Sequence, residues 1–281
     1  MYLESRRSRP LLPRLPPMSP HHDFNFALPE QQWTNEPIRA VVTGSSGGIG
    51  SAIVSALLSA DESKVAKVFT VDRSSAKSCA FPNERRLIRL ETDFADPASY
   101  QRLATRIHEH TSQINLVINC IGLLHSEDVR PEKSLRQVAL PQLHALFAAN
   151  AFPVLLLAQA LESLLKHKGT SVFASLSARV GSLADNRTGG WYGYRASKAA
   201  HNMFLKTLAL EWGVKLPHCV CVALHPGTVN TSLSKPFVTA NYQKTLHSPE
   251  SAAGHLLARI GELRPVDSGQ FIAWNGERLP W

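Results

Sequence analysis

Tyr194 and Lys198 stand four residues apart in Tyr194-Arg195-Ala196-Ser197-Lys198. On a helix that spacing puts a phenol and an ammonium on one face. A cation beside a phenol favours the phenolate, so the pair is suited to exchange a proton with an alcohol or carbonyl near neutral pH. A second group binds rather than reacts. Thr43-Gly44-Ser45-Ser46-Gly47-Gly48-Ile49-Gly50 follows a short apolar run and precedes a segment of helical spacing. In that setting Gly44 permits a tight turn, Gly48 lets backbone approach a pyrophosphate, and Gly50 lets the helix pack closely on the strand. The first helical N–H groups, with the positive end of the helix dipole, then face phosphate oxygens.

Asp72 ends the next apolar run, 22 residues after Gly50. A carboxylate there accepts from both hydroxyls of an adenosine ribose and repels a 2′-phosphate, which favours NAD. Arg73 follows at once and would clamp a 2′-phosphate if Asp72 turned away, which favours NADP. The choice between the two cofactors stays open at this level. His21 and His22 have no partner ligands nearby, and Cys219 and Cys221 have no second pair to complete a zinc site, so no metal is expected.

The elements that must position these groups alternate strand and helix. Strands are expected over 38–43, 67–71, 87–90, 116–119, 170–175, 218–224 and 270–274. Helices are expected over 49–58, 97–109, 135–166 and 191–213. That alternation implies an α/β, doubly wound Rossmann fold: one domain with a parallel sheet of about seven strands and helices on both faces. Residues 1–37 differ, with seven of the eighteen prolines and no apolar period, and read as a disordered extension before a body over 38–281.

Lys+Arg is 30 and Asp+Glu is 22, a net charge of +8, in a chain that is 44% apolar and 19% charged. The four arginines and four acids of residues 1–37 cancel, so the excess lies in the body. The charges are scattered and no basic cluster alternates with aromatics, so nucleic acid is not an expected partner. An anionic ligand such as a dinucleotide is. The longest unbroken apolar run is eight residues, Ala151 to Ala158, against the roughly twenty of a membrane span, so no membrane association is expected. Four cysteines, read as reduced, point to a cytoplasmic protein. A mitochondrial location is the alternative, if the Arg-rich start is a transit peptide.

Residues 38–281 resemble the short-chain dehydrogenase/reductase family, and within it the C-factor-like and sniffer-like carbonyl reductases. Thr43–Gly50 is similar to the family's T-G-x-x-x-G-x-G. Asp93 matches the acid after the third strand, Asn119-Cys120-Ile121-Gly122 the N-N-A-G after the fourth, and Asn150 the long-helix asparagine. Tyr194 and Lys198 match the catalytic pair, and Pro226-Gly227-Thr228 the loop after the sixth strand. The finer resemblance rests on Ser177-Ala178-Arg179-Val180-Gly181-Ser182, on Gly189–Ala200, and on the ending Leu279-Pro280-Trp281.

The resemblance implies an NAD(P)-dependent oxidoreductase that moves hydride between nicotinamide and a carbonyl/alcohol pair. Tyr194 would be the acid/base. Lys198 would keep it acidic and bond the nicotinamide ribose. Asn150 would hold a relay water, and a serine would orient the carbonyl. Cofactor contacts would come from Gly44, Ser46, Gly48, Ile49, Gly50, Asp72, Arg73, Asp93, Asn119, Gly122, Tyr194, Lys198, Pro226, Gly227, Thr228 and Thr231. The family writes Ser-Ser-x-x-Gly, and alignment on Gly181 puts Ala178 at the second serine. Ser177 is the candidate, with Ser175 and Ser182 as alternatives. The substrate is expected to be a modest apolar molecule, lined by Leu123, Leu124, Leu183, Trp191, Phe237 and Tyr242. A homodimer or homotetramer is expected. Two other functions stand beside this one. A catalytically weak dinucleotide-binding regulator or redox sensor is permitted by the irregular serine motif. An epimerase or dehydratase is disfavoured by the short segment after Gly227.

Overall fold

The computed structural model describes residues 36–74, 84–239 and 245–281. Positions 1–35, and with them most of the expected extension, and Tyr242 lie outside the described residues. Seven parallel strands form one sheet: β1 Ile38–Thr43, β2 Val65–Asp72, β3 Leu87–Glu91, β4 Leu116–Asn119, β5 Ser171–Leu176, β6 Cys219–His225 and β9 Gln270–Ala273. Their order is β3-β2-β1-β4-β5-β6-β9. The winding reverses between β1 and β4, and it is there, at the carboxyl ends of the strands, that open sheets of this kind hold ligands. A two-residue pair, β7 Thr228–Val229 and β8 Leu246–His247, stands apart from the sheet.

Period-two alternation builds a core on each face. Ala40 and Val42 of β1 face Ile53 and Leu57 of helix α1 (Gly48–Ser59) and Leu256 and Leu257 of helix α6 (Pro249–Gly261). Val41 faces the other way, into a layer with helix α2 (Pro97–His108), helix α4 (Phe152–Leu165) and helix α5 (Tyr192–Lys215). The expected seven strands and doubly wound sheet are thus present.

Two elements depart from the sequence reading. The single helix expected over 135–166 is a 3-10 turn, Leu135–Gln137, then α3 (Leu140–Asn150), then α4, broken at Ala151. Pro153 lacks the N–H that would continue α3's ladder and its ring clashes with the preceding turn. Taken as one stretch, Leu140–Leu165 has the length and apolar composition to cross a membrane. Here Val154, Leu157, Leu161 and Leu164 pack it into the core as a sheet-covering element. Helix α6 lies outside the helices expected from the sequence. Its signals were local: Ser248 accepts a hydrogen bond from Ser251 N–H at 3.1 Å, Pro249 opens the helix and Glu250 lies in its first turn.

Candidate active site

The glycine turn links β1 to α1 as expected. Gly44 has φ +67°, and its N–H donates to the Val71 carbonyl at 2.9 Å. A side chain on Gly50 would overlap the Gly44 carbonyl oxygen. Among the described residues no side chain caps α1, which leaves its first N–H groups to an anion. Thr231 closes the far side: a Cβ on Gly48 would lie 2.7 Å from its Cγ2. Ile49 packs against the apolar layer under α1.

Asp72 does not face outward. It is buried, and its carboxylate accepts from Ser46 N–H at 2.9 Å, from Ser46 Oγ at 2.8 Å, and from Ser45 Oγ. The acid expected on a ribose braces the glycine turn, which presents three donors to it. Arg73 is exposed, beside a cleft of about 930 Å³ that Thr92, Asp93, Arg89 and Arg102 also line. Asp93 is exposed there, with Oδ1 accepting from Ala95 N–H at 2.9 Å.

Across the switch point the strand ends are tied side chain to side chain. Thr43 Oγ1 donates to Asn119 Oδ1 at 2.7 Å, and Asn119 Nδ2 donates to Ser175 Oγ at 2.9 Å. This ladder spans β1, β4 and β5 and engages both Asn119 and Ser175 in structure. Next along, a Cβ on Gly122 would lie 3.7 Å from Asn150 Oδ1 and 3.8 Å from Lys198 Nζ. The loop after β4, the end of α3 and the middle of α5 therefore meet at one point.

Asn150 is buried and its amide is fully used. Oδ1 accepts from Leu123 N–H at 2.7 Å, and Nδ2 donates to the Leu123 carbonyl at 2.8 Å and to Ser197 Oγ at 3.0 Å. Lys198 is 4% exposed, and its Nζ donates to the Leu176 carbonyl at 2.9 Å. Burial pushes its ammonium down to about 8. Tyr194 is 7% exposed among Leu124, Val129 and Leu146. Lys198 is expected to draw this phenol downward, and burial acts in the opposite direction. Burial pushes Tyr194 up to about 12.

The serine reading also changes. Ser177 Oγ donates to Asn202 Oδ1 on α5 at 2.6 Å, inside the protein. Ser182 is buried, with Oγ accepting from Asp185 N–H at 3.1 Å. Ala178, one residue beyond Ser177, packs against the Tyr194 cluster. Successive side chains of extended chain point to opposite sides, so the hydroxyl and the methyl cannot exchange places.

Glu132 is a site residue the sequence did not reveal. It is buried, its carbonyl accepts from Trp191 N–H at 2.6 Å, and its carboxylate accepts from Gly193 N–H at 3.2 and 3.3 Å. A lone glutamate in a loop carries no local signal for this. Its bonds hold Trp191 at φ +51°, a conformation that costs a bulky residue about 1–3 kcal/mol. Trp191's ring lies 6.1 Å from Tyr194 and 5.0 Å from Phe237. On the opposite rim Pro226 leads into Gly227, at φ +79°, which passes under His247 and Trp274, and Thr228 pairs with Leu246.

The site residues fit a dinucleotide: a glycine turn with bare N–H groups, then a close approach of backbone to Lys198 and Asn150. Comparison with known proteins agrees. A model of the short chain dehydrogenase family matches residues 39–241. The chain is 36% identical to the C-signal protein of Myxococcus xanthus over 135 residues, 48% of this chain and 76% of that one. It is 32% identical to 1-hydroxy-2-glutathionyl-2-methyl-3-butene dehydrogenase of a Rhodococcus species over 192 residues, 67% of this chain and 78% of that one. Among solved structures, carbonyl reductase Sniffer of D. melanogaster superposes with TM-score 0.76 at 24% identity, over 88% of this chain and 100% of that one. The NADPH-bound carbonyl reductase from chicken fatty liver superposes with TM-score 0.73 at 24% identity, over 89% and 96%.

Proposed function

The chain belongs to the short-chain dehydrogenase family, NAD(P)-dependent oxidoreductases, and on that premise we propose that it reduces a small apolar carbonyl with NADPH, Tyr194 supplying the proton. The observation that carries this reading is the convergence of Gly122, Asn150, Lys198 and Tyr194 at the crevice. A bound nicotinamide cofactor supplies hydride to a carbonyl carbon. Tyr194, protonated at neutral pH, then gives its phenolic proton to the carbonyl oxygen. Lys198 stabilises the phenolate left behind. Trp191, Phe237, Leu123 and Leu124 exclude water from Tyr194 and give the substrate an apolar wall. NADPH oxidation measured with a panel of aldehydes and ketones tests it. No turnover with any of them, together with tight cofactor binding, would favour a dinucleotide-binding regulator, a reading that Ala178 in place of a hydroxyl supports.

NADPH is preferred because Asp72 is engaged by Ser45 and Ser46, while Arg73 is exposed at the strand end. An Arg–phosphate pair is a charge-assisted bond worth about 1.5–3 kcal/mol, or roughly ten- to a hundredfold in affinity. Arg73→Ala should therefore lower the NADPH-over-NADH preference by that factor, with NADH affinity unchanged, in parallel calorimetric titrations. Equal losses for both cofactors would place Arg73 elsewhere.

The protein is also read as a homo-oligomer that pairs through α4 and α5. Met203, Leu210 and Val214 of α5 are 62, 67 and 88% exposed, and Phe152 of α4 is 47% exposed. Spacings of seven and four residues put the three α5 side chains on one stripe. Leu210→Glu with Val214→Glu should convert a dimer or tetramer to monomer in light scattering. A wild-type protein that is already monomeric would sink this reading.

A further inference from the structure

Helix α5 grips Asn150 at two places, one turn apart. Ser197 Oγ accepts from Asn150 Nδ2 at 3.0 Å and itself donates to the Tyr194 carbonyl at 2.9 Å. At the next turn the His201 ring meets the Asn150 carbonyl oxygen, 2.9 Å from Nδ1. A carbonyl only accepts, so Nδ1 carries the proton and Nε2 is a bare acceptor. That Nε2 is buried and has no partner among the described residues, and His201 is 0% exposed. Burial, then the charge of Lys198, hold the ring down to about 3, so it stays neutral. An orphaned buried nitrogen is destabilising, and an aliphatic side chain would fill the space without it. The His201–Asn150 bond is what the imidazole adds.

Asn150 is the last residue of α3, and its carbonyl accepts from the His201 ring of α5. Through its own amide, Asn150 then holds both backbone groups of Leu123, next to Gly122 and Lys198.

We propose that His201 is a positioning residue: by fixing the Asn150 carbonyl it sets the loop after β4 against the α5 turn that carries Tyr194 and Lys198. The kinetic half of the test rests on the reductase reading; the exchange half does not. His201→Leu removes the donor. His201→Asn returns an N–H near the place of Nδ1, and His201→Gln returns one near Nε2 instead. Amide hydrogen exchange at Leu123 should quicken about tenfold in the Leu and Gln variants and return toward wild type in the Asn variant. In the same two variants kcat should fall about tenfold or more, as small misplacements of reacting groups do, with the KM for NADPH within about twofold. The Asn variant should recover both readouts. Unchanged exchange at Leu123, equal rescue by Asn and Gln, or equal loss in all three would overturn the proposal. So would altered exchange with undiminished kcat. If the Leu variant does not fold, the Asn and Gln variants decide. A wild-type enzyme inert toward every carbonyl sinks the reductase reading, and the exchange pattern still judges His201.

Discussion

Tyr194→Phe should cut carbonyl reduction by about 10³-fold while leaving NADPH binding within about twofold, since general acid catalysis is worth about 10²–10⁴. The ring stays, so the contacts with Leu124, Val129 and Leu146 stay. Only the proton donor is lost. Stopped-flow measurement of NADPH oxidation, beside calorimetric titration of the cofactor, separates chemistry from binding. Retained turnover in the Phe variant would remove Tyr194 from the mechanism. The pH dependence carries the same logic. Tyr194, at about 12, is protonated throughout the ordinary range. Lys198, lowered by burial to about 8, loses its charge as pH rises through that value. Reductive kcat/KM reports groups of the free enzyme. It should therefore be flat below about 8 and fall above it, and Lys198→Arg should move the fall upward.

The second large effect is a gain. Ala178→Ser would place a hydroxyl on the side of the chain that faces Tyr194, where the structure has a methyl. One preorganised donor to a developing oxyanion is worth about 10²–10³ in optimised sites. A newly introduced one lacks tuned support, so a rise in kcat of about tenfold is expected. Ser177→Ala makes the contrast. Its hydroxyl bonds Asn202 inside the fold, so kcat should hold within about twofold while stability falls by about 1–3 kcal/mol, as Asn202 loses its donor. Chemical denaturation and steady-state kinetics on the two variants check both halves. If Ser177→Ala loses activity and Ala178→Ser gains none, Ser177 returns as the orienting group.

Much of this molecule was legible from residues in order. The turn of Thr43–Gly50 is dictated by local sterics, since Gly44 must take a positive φ and a side chain at Gly50 has no room. The strands declared themselves as apolar runs, because a parallel sheet is covered on both faces. The spacing of Tyr194 and Lys198 places both on one face of α5 wherever that helix lies. Even the break before Pro153 and the start of α6 were written locally, in a missing N–H and a serine cap.

Other features depended on which distant segments came together. The carboxylate of Asp72 accepts from Ser45 and Ser46, 27 and 26 residues away, a pairing that no local pattern announces. The side taken by Ser177 and Ala178 depended on where Asn202 of α5 came to lie. Glu132 and His201 bond backbone groups 61 and 51 residues away, and the choice of such partners is made only when the chain closes. Steric and periodic preferences act within a few residues and are carried by residue type. The orientation of a polar side chain is set by the nearest unsatisfied partner, and in this protein that partner arrives with the tertiary fold.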